Sequence, residues 1–149
     1  MILKYRKITD SFTTHTLKEP NPSAGGSKIT ELATIGDWTY VHVPDDLVLP
    51  EQPDIIDATL EAVTVTPEIR EEIKALCPHV QLSYQRLQER IRARYSIDDE
   101  QYLNRIAAGS VAGIYQMQDG EQDRIAAYNA YVEECRTIAR QERAAIGLS

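Results

Sequence analysis

The chain changes character at Thr66-Pro67, and that change limits its possible folds more than any other feature. Upstream, β-prone runs alternate with segments rich in proline, threonine and glycine; downstream, nearly every stretch carries helical periodicity. A half so poor in helix formers does not make a compact enzyme domain by itself, and the other half consists of amphipathic helices. The expected class is therefore α+β. Residues 1–66 form a β-hairpin and an extended, proline-punctuated arm, the attachment region, and residues 67–149 a helical hairpin or small helical bundle.

Within the first part, Ile2 to Ile8 reads as a short strand, and Lys18 to Ser27, with its prolines, glycines and serines, as a linker by composition. Ile29 to Ile35 and Trp38 to Val43 are β-prone runs separated by Gly36-Asp37, a tight-hairpin signal in which glycine supplies the positive φ of a type II′ turn. Alternation puts Trp38, Tyr40 and His42 on one face and Thr39, Val41 and Val43 on the other. Pro44 ends that strand. Leu47-Val48-Leu49 lies between prolines and must be largely extended, either across the protein's own core or along a partner. Asp54 to Val65 is ambiguous, helical at Ile55, Ile56 and Leu60 and strand-like at Val63-Thr64-Val65.

From Thr66-Pro67-Glu68 the signals are helical: a threonine cap, proline at the first position and acids near the positive end of the dipole. Apolar residues recur at Ile69, Ile73, Leu76, Val80, Tyr84, Leu87, Ile91 and Tyr95, three or four apart, which predicts one inward stripe. Cys77-Pro78 calls for a kink, or a stop and restart. Ser83 and Arg90 break a strict seven-residue repeat and argue against a long coiled coil. Ser96 caps a second helix with Leu103 and Ile106 inward, and Gly109 reads as its stop. Residues 109–120 read as a loop. A last helix over about Glu121 to Ala145 buries Ile125, Tyr128, Val132, Cys135, Ile138 or Ala139, and Ile146, and Gly147 ends it.

Charge narrows the partners. The net charge is −7, and phosphate binding needs a basic face, so nucleic acid is not the expected partner. Residues 1–28 hold five Lys/Arg against two acids, whereas residues 29–66 hold eight acids and no Lys or Arg. A basic tail followed by an acidic strap pairs with oppositely charged neighbours or keeps the chain soluble. Eight tyrosines against one Trp and one Phe suit half-buried surfaces and interfaces. No run approaches the ~20 apolar residues of a membrane span, and Met1 to Asp10 has no signal-peptide hydrophobic region, so synthesis in the cytoplasm and no membrane are expected.

No catalytic set is visible. Glycine-rich phosphate loops, H-E-x-x-H and EF-hand patterns are absent. Cys77-Pro78-His79 lacks a zinc-ligand spacing, and Cys77 beside a proline on an apolar face reads as structural rather than nucleophilic. Asp45-Asp46 fits a turn, and Asp98-Asp99-Glu100 a helix start. Arg86, Arg90, Arg92, Arg94 and Arg105 read as a solvated helix face laced with i,i+4 pairs. No enzyme, cofactor or metal is expected. Cys77 and Cys135 read first as two small buried side chains, the alternative being a disulfide within or between chains if the finished protein lives outside a cell.

Tyr95-Ser96-Ile97-Asp98-Asp99-Glu100 and the stretch Ala127-Tyr128-Asn129-Ala130-Tyr131-Val132-Glu133-Glu134-Cys135-Arg136, followed by Gly147-Leu148, resemble small tail-associated proteins of tailed bacteriophages. The likeness covers roughly residues 90–149, and its motifs are not chemically specific. It implies a virion structural part of the tail fibre or baseplate, or a factor that assembles that part and is not retained. It also implies other tail proteins as partners, an oligomer with trimers frequent in fibres, and oxidation of Cys77 or Cys135 to a neighbour. On this reading the hairpin and strap clasp the partner through Trp38, Tyr40, Leu47 and Leu49.

Overall fold

The computed structural model describes residues 1–20 and 28–149, so most of the expected linker lies outside the described residues. The described chain is α+β, with antiparallel strands first and helices after them. It divides into two compact units, Met1–Gln81 with Arg143–Ser149, and Leu82–Glu142.

In the first unit, β1 (Ile2–Arg6), β4 (Thr30–Ile35), β5 (Trp38–His42) and β6 (Glu61–Ala62) form one antiparallel sheet in the order β4-β5-β1-β6. The small strands β2 (Ile8–Thr9) and β3 (Thr14–His15) pair separately. The β4–β5 hairpin turns at Gly36, whose φ of 59° sits before an Asp37 of negative φ, as a type II′ turn requires. Between Glu31 and Ala33 the register shifts by one residue. This bulge lets Leu32 and Ala33 reach the same core.

Strand alternation serves both faces of this sheet. Ile2, Leu32 and Ala33 join Ile73, Cys77, Val80 and Leu148 in one cluster; Leu3, Tyr5, Val41 and Val43 join Leu17 and Ile56 in another. The ambiguous segment forms a single helical turn, α1 (Asp54–Asp57), and then β6, which ends at Ala62; Val63-Thr64-Val65, expected as strand, lies just beyond it.

Thr66 caps α2 (Pro67–Leu76), its hydroxyl accepting the Ile69 N–H at 3.3 Å. Cys77, held extended by the proline after it, ends that helix, and α3 (Pro78–Arg94) starts afresh. Across the restart the stripe keeps Val80 buried and Leu87, Ile91 and Tyr95 half-buried, but two of its positions turn outward. Leu76 and Tyr84, expected inside, are 54% and 45% exposed, while Cys77, Val80 and Ser83 are buried. The change of composition at Thr66 is thus not where the first unit ends. Helix α2 packs on β4, and its continuation to Val80 completes the first core.

In the second unit, Ser96 and Asp99 form a reciprocal capping box at the start of α4 (Ile97–Val111). This helix runs past Gly109, contrary to the sequence reading, and the positive-φ glycine that follows its end is Gly113, at 74°. Helix α5 (Glu121–Ala144) buries Ile125, Tyr128, Cys135 and Ala139. Leu103 and Ile106 meet Ile125 and Tyr128 in a third cluster.

Candidate functional site

Of the four residues expected to clasp a partner, three pack partly buried against this chain's own cores. Tyr40 packs against the first cluster, and Leu47 and Leu49 against the second. Val48 between them is 85% exposed, so the strap is extended with the period of two expected of it. Gln52 fastens it: its amide accepts the Lys18 N–H at 2.7 Å and donates to the Lys18 and Pro50 carbonyls at 3.1 and 2.8 Å. Trp38 is half-buried, with the Lys4 ammonium 4.3 Å and the Arg6 guanidinium 4.7 Å from its ring centroid. The π face expected to meet a partner is therefore engaged by cations of β1.

What the first unit presents instead is Phe12, the one phenylalanine of the chain, 98% exposed between β2 and β3. The tip that carries it is well tied. Asp10 Oδ1 accepts the N–H groups of Phe12 and Thr13 at 2.9 and 2.8 Å, and Oδ2 meets His15 Nε2 at 3.0 Å. The Asp10 N–H donates to the Thr13 carbonyl at 3.0 Å, and the Thr9 and Thr14 hydroxyls bond across the strands at 3.1 Å. Asp-Ser-Phe-Thr is an Asx-turn sequence, so the signal was present in the residues; the isolated phenylalanine among polar neighbours was the part left unread.

The bonds from Phe12, His15 and Thr13 lower the Asp10 pKa from 3.8 to about 2. A depressed carboxyl pKa means that its contribution to the tip is complete above pH 3.8 and is lost as pH falls through about 2. An NMR pH series on the Phe12 and Thr13 amides should therefore show a midpoint of about 2; a midpoint near 3.8 would mean that Asp10 does not hold the tip.

In the second unit the two stretches that carry the phage-tail likeness meet. The Tyr95 ring lies edge-on to Tyr128 at 5.1 Å and tilted to Tyr131 at 5.8 Å. Glu100 accepts the Tyr128 hydroxyl at 2.7 Å and pairs with Arg92 at 2.5 Å. Arg90 pairs with Glu142 at 2.6 Å, the Tyr131 hydroxyl donates to the Arg90 carbonyl, and the Ser83 hydroxyl donates to that of Ala139. Ser83 and Arg90, which disqualified a coiled coil, thus line the α3–α5 contact as polar members. Arg90 and Arg92 pair with the distant Glu142 and Glu100 and Arg94 lies over the Tyr131 ring, whereas Arg105 lies over Tyr102 of its own helix.

One carboxylate was not foreseen. Glu121, at the start of α5, is 5% exposed and accepts the Tyr102 hydroxyl at 2.5 Å, the Tyr115 hydroxyl at 2.9 Å on each oxygen, and the Gln118 N–H at 2.9 Å. Those donors hold its carboxyl below the usual range, and the hydrogen bond that Tyr115 donates to it, with burial, pushes the Tyr115 pKa up to about 12. A carboxylate with its oxygens so engaged is not free to act as a base, and a tyrosine so shifted keeps its proton. The cluster fastens α4, the return loop and α5 to one another.

Beside it an open groove of about 640 Å³ is lined by Arg105, Ala108, Gly109, Ala112, Ile114 and Tyr115. Val111 and Ile114 are 92% and 84% exposed. No protein-family model matches the chain, and neither a curated protein nor a solved structure does. Side chains alone therefore carry the functional reading.

Cys77 and Cys135 are free and buried, the first in the sheet unit's core and the second on the inner face of α5. No disulfide joins them within the chain, and each thiol serves as a small core residue. His79 is exposed, and among the described residues no group of three or more His, Cys, Asp or Glu side chains is placed to hold a metal. Among the described residues no helix is long and apolar enough to cross a membrane.

Proposed function

We propose that this chain is a non-enzymatic structural protein of a phage tail, a fibre or baseplate component that attaches to neighbouring virion proteins. The observation that carries attachment is the outward placement of large apolar side chains on ordered supports. Phe12 stands on the Asp10-locked tip, Val48 on the tied strap, and Val111 and Ile114 around the end of α4. Single exposed hydrophobics are common, but an aromatic on a pre-organised turn loses little entropy on binding, which is how interface anchors gain affinity. The phage-tail part of the reading rests on the likeness at Tyr95–Glu100 and Ala127–Arg136. The attachment surface moves from Trp38, Tyr40, Leu47 and Leu49 to the residues around them.

Quantitative mass spectrometry of purified particles is the test, with this chain expected at a fixed copy number. Abundance in the lysate with absence from particles would overturn the structural role and favour an assembly chaperone of the tail fibre. Absence from both would remove the phage reading.

A further inference from the structure

We infer that copies of this chain join to one another through a knob and a socket: Phe12 of one copy enters the groove along the end of α4 of the next. The inference rests on the oligomeric part of the attachment reading and names its joint.

Each half of the joint lacks an occupant for its chemistry. The knob is a phenyl ring 98% exposed on a turn held by backbone bonds to Asp10. The socket is an open groove of about 640 Å³ whose lining includes Ala108, Ala112, Ile114 and Tyr115. Small residues along a helix let a ring approach its backbone closely. An aromatic anchor with a small apolar wall is the pairing that concentrates binding energy at protein interfaces.

Charge decides which ring belongs there. Arg105 stands at the groove and forms no ion pair among the described residues, its guanidinium lying 5.8 Å from the Tyr102 ring centroid. Phe12 arrives with the exposed Asp10 carboxylate two residues away, which meets His15 on one oxygen and, like any exposed carboxylate, is ionised at neutral pH. An acid beside the ring meets a base beside the pocket, and the phenyl face itself attracts a guanidinium. Glu121 does not compete for Arg105, since it is 5% exposed among its Tyr102, Tyr115 and Gln118 donors, whereas the Asp10 side chain stands more than half open to solvent. Knob and socket are different patches, so the joint is heterologous, and such contacts build closed rings or open chains according to the rotation between copies.

Sedimentation analysis of the full chain over a wide concentration range tests this, with Phe12→Ala to remove the knob and Ala108→Trp to fill the socket. The wild type should self-associate, and each variant should weaken association at least tenfold, as loss of an interface anchor does. Phe12 touches solvent alone, so Phe12→Ala keeps the fold, and circular dichroism checks Ala108→Trp. Mixing the two variants should restore one joint per pair and give a heterodimer that grows no further. A monomeric wild type, undiminished association in Phe12→Ala, or no heterodimer in the mixture would each overturn the inference. A monomer found in particles at fixed copy number sinks the joint and leaves the attachment reading; an associating chain absent from particles does the reverse.

Discussion

Leu148→Ala is expected to destabilise the protein by about 2–5 kcal/mol, the range for emptying a fully buried leucine site. Leu148 is 0% exposed and belongs to the cluster of Ile2, Leu32, Ile73, Cys77 and Val80. Its placement follows from how α5 ends. Gly147 takes a φ of 73°, its N–H donates to the Ala144 carbonyl, and the Leu148 N–H donates to that of Arg143. Those two bonds are the paired closure of a helix by a left-handed glycine, which turns the next residue back against the fold. Domains of this size are stable by about 5–15 kcal/mol, so the loss is a large fraction of the whole. Urea unfolding followed by circular dichroism measures it, with Ser149→Ala as the exposed neighbour expected to stay within about 0.5 kcal/mol. Equal midpoints for the two variants would place Leu148 outside the core.

Gly109→Ala carries the second large effect, and its sign is opposite to intuition. In an ordinary helix interior this change stabilises by about 1 kcal/mol. Here a Cβ at position 109 would come within 2.9 Å of the Tyr115 Cβ, an atom fixed by its own backbone. The chain returns over the helix at that point, with the Ile114 and Tyr115 N–H groups donating to the Gly109 carbonyl at 3.0 and 3.1 Å. Separating the two backbones strains those bonds and moves Tyr115 away from Glu121. The expected result is a destabilisation of about 1–3 kcal/mol, the usual cost of overpacking. Urea midpoints again decide it, and a more stable Gly109→Ala would rule out the close return at Tyr115.

These two glycines show where sequence reading reaches and where it stops. Gly147 was legible as a helix end because it directly follows Ile146, the last apolar residue of the helical pattern. Gly109 was read the same way, since a glycine late in a helical pattern means a stop unless something packs on it. Only the fold shows that Tyr115 does. The helix starts at Thr66 and Ser96 and the turn at Gly36 were legible because local chemistry suffices for them. The stripe around Pro78 was legible in part: Val80 is buried where expected, but Leu76 and Tyr84 give way to their small neighbours Cys77 and Ser83, a choice between adjacent positions that periodicity alone does not make. The candidate site was legible in part: the extended strap and its alternation were, whereas the surface that Leu47 and Leu49 face was an open choice between core and partner. Glu121 gave no sign beyond its place near a helix start, because its partners Tyr102 and Tyr115 are gathered by the fold rather than by spacing.

The sheet has a consequence for how the chain can meet any neighbour. With apolar clusters on both faces, it can offer another protein only its rim. One rim strand, β6, is two residues long; the other, β4, is interrupted by the bulge at Leu32 and carries Glu31 paired with Lys7 at 2.7 Å. Short, bent and charged rims resist the addition of a foreign strand. Backbone ladders are thereby closed to newcomers, and recognition falls to the side chains that loops hold out. Such a molecule can be packed at high density beside its own copies without the sheets merging into a continuous ribbon.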